Sequence, residues 1–150
     1  MVYFGLAAGL FALDFFLKKR IDKSIDMKEQ REIGGGKLVL RKYYNKGAAL
    51  NFMEKSPKVL RAVCGGILLM FGIIWYLLLR NKQNPGILLG ISLVLGGGAN
   101  NLYDRITRGY VVDYFSFKTP WERLNRVVFN ISDMFIFLGS ILMVICGSRK

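Results

Sequence analysis

Histidine is absent from this 150-residue chain. Its absence removes Ser-His-Asp and Cys-His catalysis, histidine zinc sites and HExxH peptidases together. Cysteine is scarce. Cys64 and Cys146 cannot make a four-ligand metal site, and both lie in apolar runs, which argues against a disulfide framework. Acidic residues are few as well: ten Asp and Glu stand against 22 Lys and Arg, for a net charge of +12. Charged residues make up 21% of the chain, below the roughly 25% of an average soluble domain. Chemistry in such a chain falls to carboxylates, Lys and Arg, amides, hydroxyls or a bound cofactor.

Apolar residues are plentiful instead, at 53%, and they come in four long blocks. A helix crossing ~30 Å of hydrocarbon needs about 20 mostly apolar residues. Residues 2–17, 59–79, 86–103 and 127–146 are candidates, and the length of the chain allows a single domain, 1–150. The first block is short, with Lys18, Lys19 and Arg20 placed to snorkel at its end. It lacks the basic segment that precedes the apolar run of a secretory signal. Buried helices of a soluble protein are the rival explanation, but 150 residues cannot hide four such helices from water. The expected fold is therefore an all-α membrane bundle of four transmembrane helices.

Four spans put both termini on one side, and the loops 18–58 and 104–126 on the other. Within those loops, Lys37–Tyr44 and Gly109–Phe117 have strand character, and Gly34-Gly35-Gly36 separates the first from a polar stretch. A small β-rich platform at the membrane surface is expected from them. The long loop holds twelve Lys and Arg, so charge counting alone places it in the cytoplasm. Attraction to anionic lipid head groups accounts for the excess charge. No separate fold is left over for nucleic acid.

The acids outside the long loop are Asp14, Asp104, Asp113, Glu122 and Asp133. Asp14 lies near the exit of the first span and Asp104 at the exit of the third. Asp133 is expected one to two turns inside the fourth, roughly 9 Å from its start. All three then converge on one face at shallow depth. A carboxylate within the membrane costs at least ~2.5–3.5 kcal/mol, so each is a functional candidate. Asp14 and Lys18 are spaced i,i+4 with the acid first, which suits an ion pair or simply an anchored helix end. Asn101, Asp104 and Arg105 share a helix face, as do Asn130 and Asp133. The two asparagines could equally serve interhelical hydrogen bonds. With no histidine, a pair of aspartates is the best device for activating water, because two close carboxylates hold one proton between them. Asp113 and Asp133 fit best.

The order of these residues resembles prolipoprotein signal peptidase, or signal peptidase II. Asp14 followed by Lys18 is similar to that family's Asp-x-x-x-Lys element. Asn45-Lys46-Gly47-Ala48-Ala49 resembles Asn-x-Gly-Ala-Ala. Gly96-Gly97-x-x-Asn100-Asn101-x-x-Asp104-Arg105 resembles Gly-Gly-x-x-Gly-Asn-x-x-Asp-Arg. Val111-Val112-Asp113-Tyr114 resembles Val-Val-Asp-Phe, and Phe129-Asn130-Ile131-Ser132-Asp133 resembles Phe-Asn-x-Ala-Asp. The sequence departs at Asn100, where Gly is usual, and at Ser132, where Ala is usual. It departs also at Leu50-Asn51, where an aromatic is usual, and at Phe15, where a polar residue is common.

The resemblance implies a membrane aspartic endopeptidase. It would cleave signal peptides from bacterial prolipoproteins before the diacylglyceryl-modified cysteine, with no metal or other cofactor. Asp113 and Asp133 would be the catalytic dyad. Asn45, Asn101, Arg105 and Asn130 would orient dyad and substrate, and Asp14, Lys18 and Asp104 would support them. The expected setting is the bacterial cytoplasmic membrane, as a monomer among lipids, with cytoplasmic termini and the site near the outer face. That orientation opposes the Lys/Arg count, but a long loop can translocate regardless of charge. The rival from another class is a four-span proton-coupled exporter using Asp14. It calls for a carboxylate near mid-membrane and short loops.

Overall fold

The computed structural model describes residues 1–48, 52–81 and 84–148. Ala49, Leu50 and Asn51 of the Asn-x-Gly-Ala-Ala region, Lys82 of the short turn, and the closing Arg149 and Lys150 lie outside the described residues. The elements run α1 (Val2–Ser24), β1 (Gln30–Ile33), β2 (Leu38–Asn45), α2 (Pro57–Arg80) and α3 (Pro85–Thr107). They continue with β3 (Val111–Phe117), α4 (Glu122–Asn125) and α5 (Ile131–Gly147).

Helix α3 is the centre of the bundle and packs against α1, α2 and α5. Its glycine triplet explains how one helix serves three neighbours. Successive residues on a helix point about 100° apart. A Cβ on Gly96 would stand 2.7 Å from Ala7 O of α1, one on Gly97 2.5 Å from Ser132 O of α5, and one on Gly98 2.6 Å from Leu68 Cδ2 of α2. Pro57 and Pro85 open α2 and α3, where a missing N–H costs nothing. Both helices are long and apolar enough to cross a membrane, and α5 is a shorter apolar helix of 17 residues.

The three strands form one antiparallel sheet in the order β1-β2-β3. Gly34, Gly35 and Gly36 all take positive φ in the β1–β2 turn, a conformation that costs glycine little. The polar stretch before the triplet is therefore itself a strand, paired to β2 from Gln30↔Arg41 to Ile33↔Leu38. The expected platform strands are found as β2 and β3, with a register irregularity between Leu40 and Tyr43.

Two expectations are corrected and one element is new. The first helix continues past residue 17 to Ser24, because Lys18 faces inward: it is 1% exposed and does not snorkel. A short helix, α4, forms in the second loop. Finally, residues 127–130 are not helical. The Phe129 backbone is taken up by β3: its N–H donates to Phe115 O at 2.7 Å, and its O accepts from Tyr114 N at 2.8 Å. Asn130 then caps α5, so Asp133 is the third helical residue and not one to two turns inside.

Candidate active site

The pairing of Phe129 with β3 brings the start of α5 against Asp113. Asn130 is the joint. Its side-chain oxygen accepts from Asp133 N at 2.9 Å, and its backbone N–H donates to Asp133 Oδ2 at 3.1 Å, a reciprocal capping box. Its remaining Nδ2 group donates to Asp113 Oδ1 at 2.7 Å and to Asn101 Oδ1 at 3.2 Å. One fully buried asparagine therefore contacts both candidate aspartates.

Asn45 reaches Asp113 from the sheet. It pairs with Val111 across the β2–β3 ladder, which makes Asp113 its diagonal neighbour on the same face. Asn45 Nδ2 donates to Asp113 Oδ2 at 3.0 Å. Asn101 reaches Asp133 from α3, donating through Nδ2 to Oδ1 at 2.8 Å. Each aspartate thus receives amide donors on both oxygens. Arg105 donates to Gly47 O at 2.7 Å and to Asn101 O at 3.3 Å, tying α3 to the turn after β2.

Behind this layer lies a buried ionic group. Lys18 Nζ is 3.2 Å from Asp14 Oδ2 and 3.0 Å from Asp104 Oδ2. The Asp104 oxygen stands at ion-pair distance without an aligned hydrogen bond. Lys18 also donates to Asn100 Oδ1 at 2.6 Å and Asn101 Oδ1 at 2.7 Å. Two carboxylates and two amide oxygens compensate the ammonium, as a buried charge requires. Asp14 Oδ1 accepts from the Tyr114 hydroxyl at 2.8 Å. Asp14 Oδ2 accepts from Ser132 N at 3.2 Å and from the Ser132 hydroxyl in a short contact.

The first turn of α5 shows the same economy. A helix leaves its first N–H groups without partners inside the helix. Here Ile131 N donates to the Tyr114 hydroxyl, Ser132 N to Asp14 and Asp133 N to Asn130. Sequence reading did not single out Tyr114 as a functional residue. It noted Ser132 and Asn100 only as departures from a motif. A polar residue beside each candidate aspartate, in an otherwise apolar run, was the available signal.

Asp113 and Asp133 both line a cavity of about 410 Å³. Asn45, Asn101 and Arg105 complete its polar side, while Val127, Phe129, Met134, Ile136 and Phe137 make the rest apolar. The cavity therefore suits a mostly apolar chain that carries one polar bond to be attacked. Burial pushes the Asp113 carboxyl up to about 7, with the Asp133 charge adding to the effect and the Asn45 and Asn130 donors opposing it. Among the described residues, no three His, Cys, Asp or Glu side chains come together as metal ligands.

This arrangement has relatives. A family model for signal peptidase (SPase) II matches residues 6–148. The chain belongs to the signal peptidase II family. Signal peptidase II membership makes it a peptidase. A lipoprotein signal peptidase of Cupriavidus taiwanensis is 32% identical over 153 aligned positions, covering 100% of this chain and 84% of the relative. Another from Streptococcus pneumoniae is 28% identical, covering 94% of this chain and 88% of the relative. Two solved bacterial membrane enzymes each superpose with a TM-score of 0.85 at 23% identity. One covers 99% of this chain and 94% of its own, the other 96% and 85%. That likeness shows the fold.

Proposed function

We propose that this signal peptidase II family member removes signal peptides from diacylglyceryl-modified prolipoproteins, with Asp113 and Asp133 as an aspartic dyad. The observation that carries the reading is the Asn130 bridge: one buried side chain and its own backbone contact both carboxylates, at 2.7 Å and 3.1 Å, on the wall of one apolar cavity. The names of the similar proteins support the substrate class.

The chemistry follows from two neighbouring carboxylates that line one cavity and hold one proton between them. Asp133 sits at the N-terminus of α5, where the helix dipole favours a negative charge. Asp113 sits in the sheet and holds its proton up to about pH 7. Asp133 takes a proton from a water held between the pair, and the oxygen of that water attacks the scissile carbonyl carbon. Asp113 gives its proton to the carbonyl oxygen. The tetrahedral diol then collapses: Asp113 takes a proton back from one hydroxyl, the C–N bond breaks, and the amine leaves with the proton held by Asp133, which restores the dyad. Asn45, Asn101 and Asn130 hold the carboxylates. Arg105 fixes the turn that closes the cavity, and Asp14, Lys18 and Asp104 brace them from behind.

Helices α1, α2, α3 and α5 span the bacterial cytoplasmic membrane with both termini inside. The sheet lies on the outer surface and the cavity opens among the lipids. The exporter reading needed Asp14 as an exchangeable proton carrier. Its carboxylate is 0% exposed and held by Lys18, Tyr114 and Ser132, which suits a structural tie between elements.

The test is cleavage of a diacylglyceryl-modified prolipoprotein by the purified protein in lipid. Asp113→Asn and Asp133→Asn should each lower turnover on the order of 10²–10⁴-fold while substrate still binds. Near-normal turnover in either variant overturns the dyad.

A further inference from the structure

Asp113 and Asp133 sit on different elements, so something must set how far apart they stand. Each has a hydroxyl residue as its chain neighbour. Tyr114 follows Asp113 in β3, and Ser132 precedes Asp133 in α5. Alternation in a strand sends the Tyr114 side chain away from the cavity that Asp113 lines. It reaches Asp14 on α1 at 2.8 Å. Ser132 reaches the other oxygen of the same carboxylate through both its backbone N–H and its hydroxyl. Tyr114 Oη also accepts from Ile131 N at 3.1 Å, closing the ring. Asp14 is itself fixed by Lys18.

We propose that Tyr114 and Ser132 are positioning residues that act through Asp14, clipping the strand that carries one aspartate to the helix that carries the other. The inference rests on the dyad reading. The two hydroxyls occur where the resembling motifs have Phe and Ala, and both converge on one carboxylate. A third departure, Asn100, falls on Lys18, the partner of that carboxylate. All three side chains meet on one buried ion pair. Burial and the Asp14 charge push the Tyr114 hydroxyl well above its usual pKa, so it remains a donor across the working pH range. The clip has short leashes: each hydroxyl residue is the immediate chain neighbour of its aspartate. Loosening it moves the carboxylates against each other and leaves the substrate groove intact.

The experiment compares Tyr114→Phe, Ser132→Ala and the double variant in steady-state cleavage of a diacylglyceryl-modified prolipoprotein. It is run well below each protein's unfolding temperature, with Asp133→Asn alongside. Both substitutions remove only an oxygen. Each single variant should lose on the order of tenfold in kcat, because small misplacements of reacting groups are costly, with KM held within about twofold. The double variant should fall little further than either single one, since both hydroxyls act on one carboxylate. Unchanged kcat in both singles overturns the proposal. So do losses that multiply in the double variant, and so does a change confined to KM. Each of those results leaves the dyad standing if Asp133→Asn remains inactive. Normal turnover in Asp133→Asn overturns the dyad and this inference with it.

Discussion

Lys18 Nζ donates to Asn101 Oδ1 at 2.7 Å, and this bond decides which way the Asn101 amide faces. An ammonium is donor-only, so only the amide oxygen can meet it. The amide nitrogen is then turned to Asp133, 2.8 Å away. A charge buried behind the cavity thereby orders a donor at its wall.

Lys18→Met should show both consequences. It leaves Asp14 and Asp104 as buried carboxylates without their cation, a loss of about 3–5 kcal/mol for such a broken pair. It also frees Asn101 to rotate. Thermal unfolding in detergent should show a large drop in midpoint, and turnover should fall even at temperatures where the variant remains folded.

Asn130 separates helix capping from active-site orientation. Asn130→Ser keeps a good N-cap, so α5 should still begin at residue 131. It removes the Nδ2 donor to Asp113 and Asn101. The stability cost should be about 1–2 kcal/mol, the usual loss for a buried hydrogen bond. The cost in turnover should be larger, on the order of ten- to a hundredfold. Circular dichroism with a cleavage assay reads both.

Much of this site is legible in the sequence because its chemistry is dictated by residue type. With no histidine, a pair of aspartates is the best device for activating water, and the order of the resembling motifs points to Asp113, Asp133 and the asparagines near them. Geometry that depends on distant partners was not legible. The Gln30–Ile33 strand is fully exposed and carries no apolar pattern; only its glycine turn and β2 make it a strand. Residues 127–130 read as helix by hydropathy, yet β3 claims the Phe129 backbone first. Lys18 looked like a membrane anchor because nothing local shows that Asn100, Asn101 and Asp104 await it 82 to 86 residues on. Tyr114 and Ser132 were hidden for the same reason: their common partner lies on α1.

The pH dependence of stability follows from Asp113. Its folded-state carboxyl titrates at about 7, above the ordinary carboxylate value of 3.8. The folded protein therefore holds this proton where the unfolded chain has released it. The resulting stabilisation is complete below about pH 4 and is lost as pH rises through about 7. The unfolding midpoint should fall from pH 5 to pH 8, and Asp113→Asn should flatten that fall. Cleavage should decline over the same alkaline range, where the dyad gives up its single proton. A midpoint that climbs steadily to pH 8 would contradict the assignment.

The last test uses two neighbouring glycines that differ only in what they face. A Cβ at residue 97 would sit 2.5 Å from Ser132 O, a backbone atom in the first turn of α5. Neither backbone can yield without moving a helix, so Gly97→Ala pushes the start of α5 away from α3. That displacement pulls on the Asn101–Asp133 bond and on the Ser132 contact with Asp14. The strain should cost about 1–3 kcal/mol, more than the ~1 kcal/mol that alanine gains over glycine in a helix. At residue 98 the nearest atom is Leu68 Cδ2, at 2.6 Å, with the rest of that side chain 3.5 Å or more away. A leucine terminus can turn aside, so Gly98→Ala should keep its propensity gain and leave stability unchanged or slightly raised. Turnover should drop in Gly97→Ala and hold in Gly98→Ala. Equal losses in both would mean that the triplet works as flexible backbone, and that close approach to α5 is not what Gly97 provides.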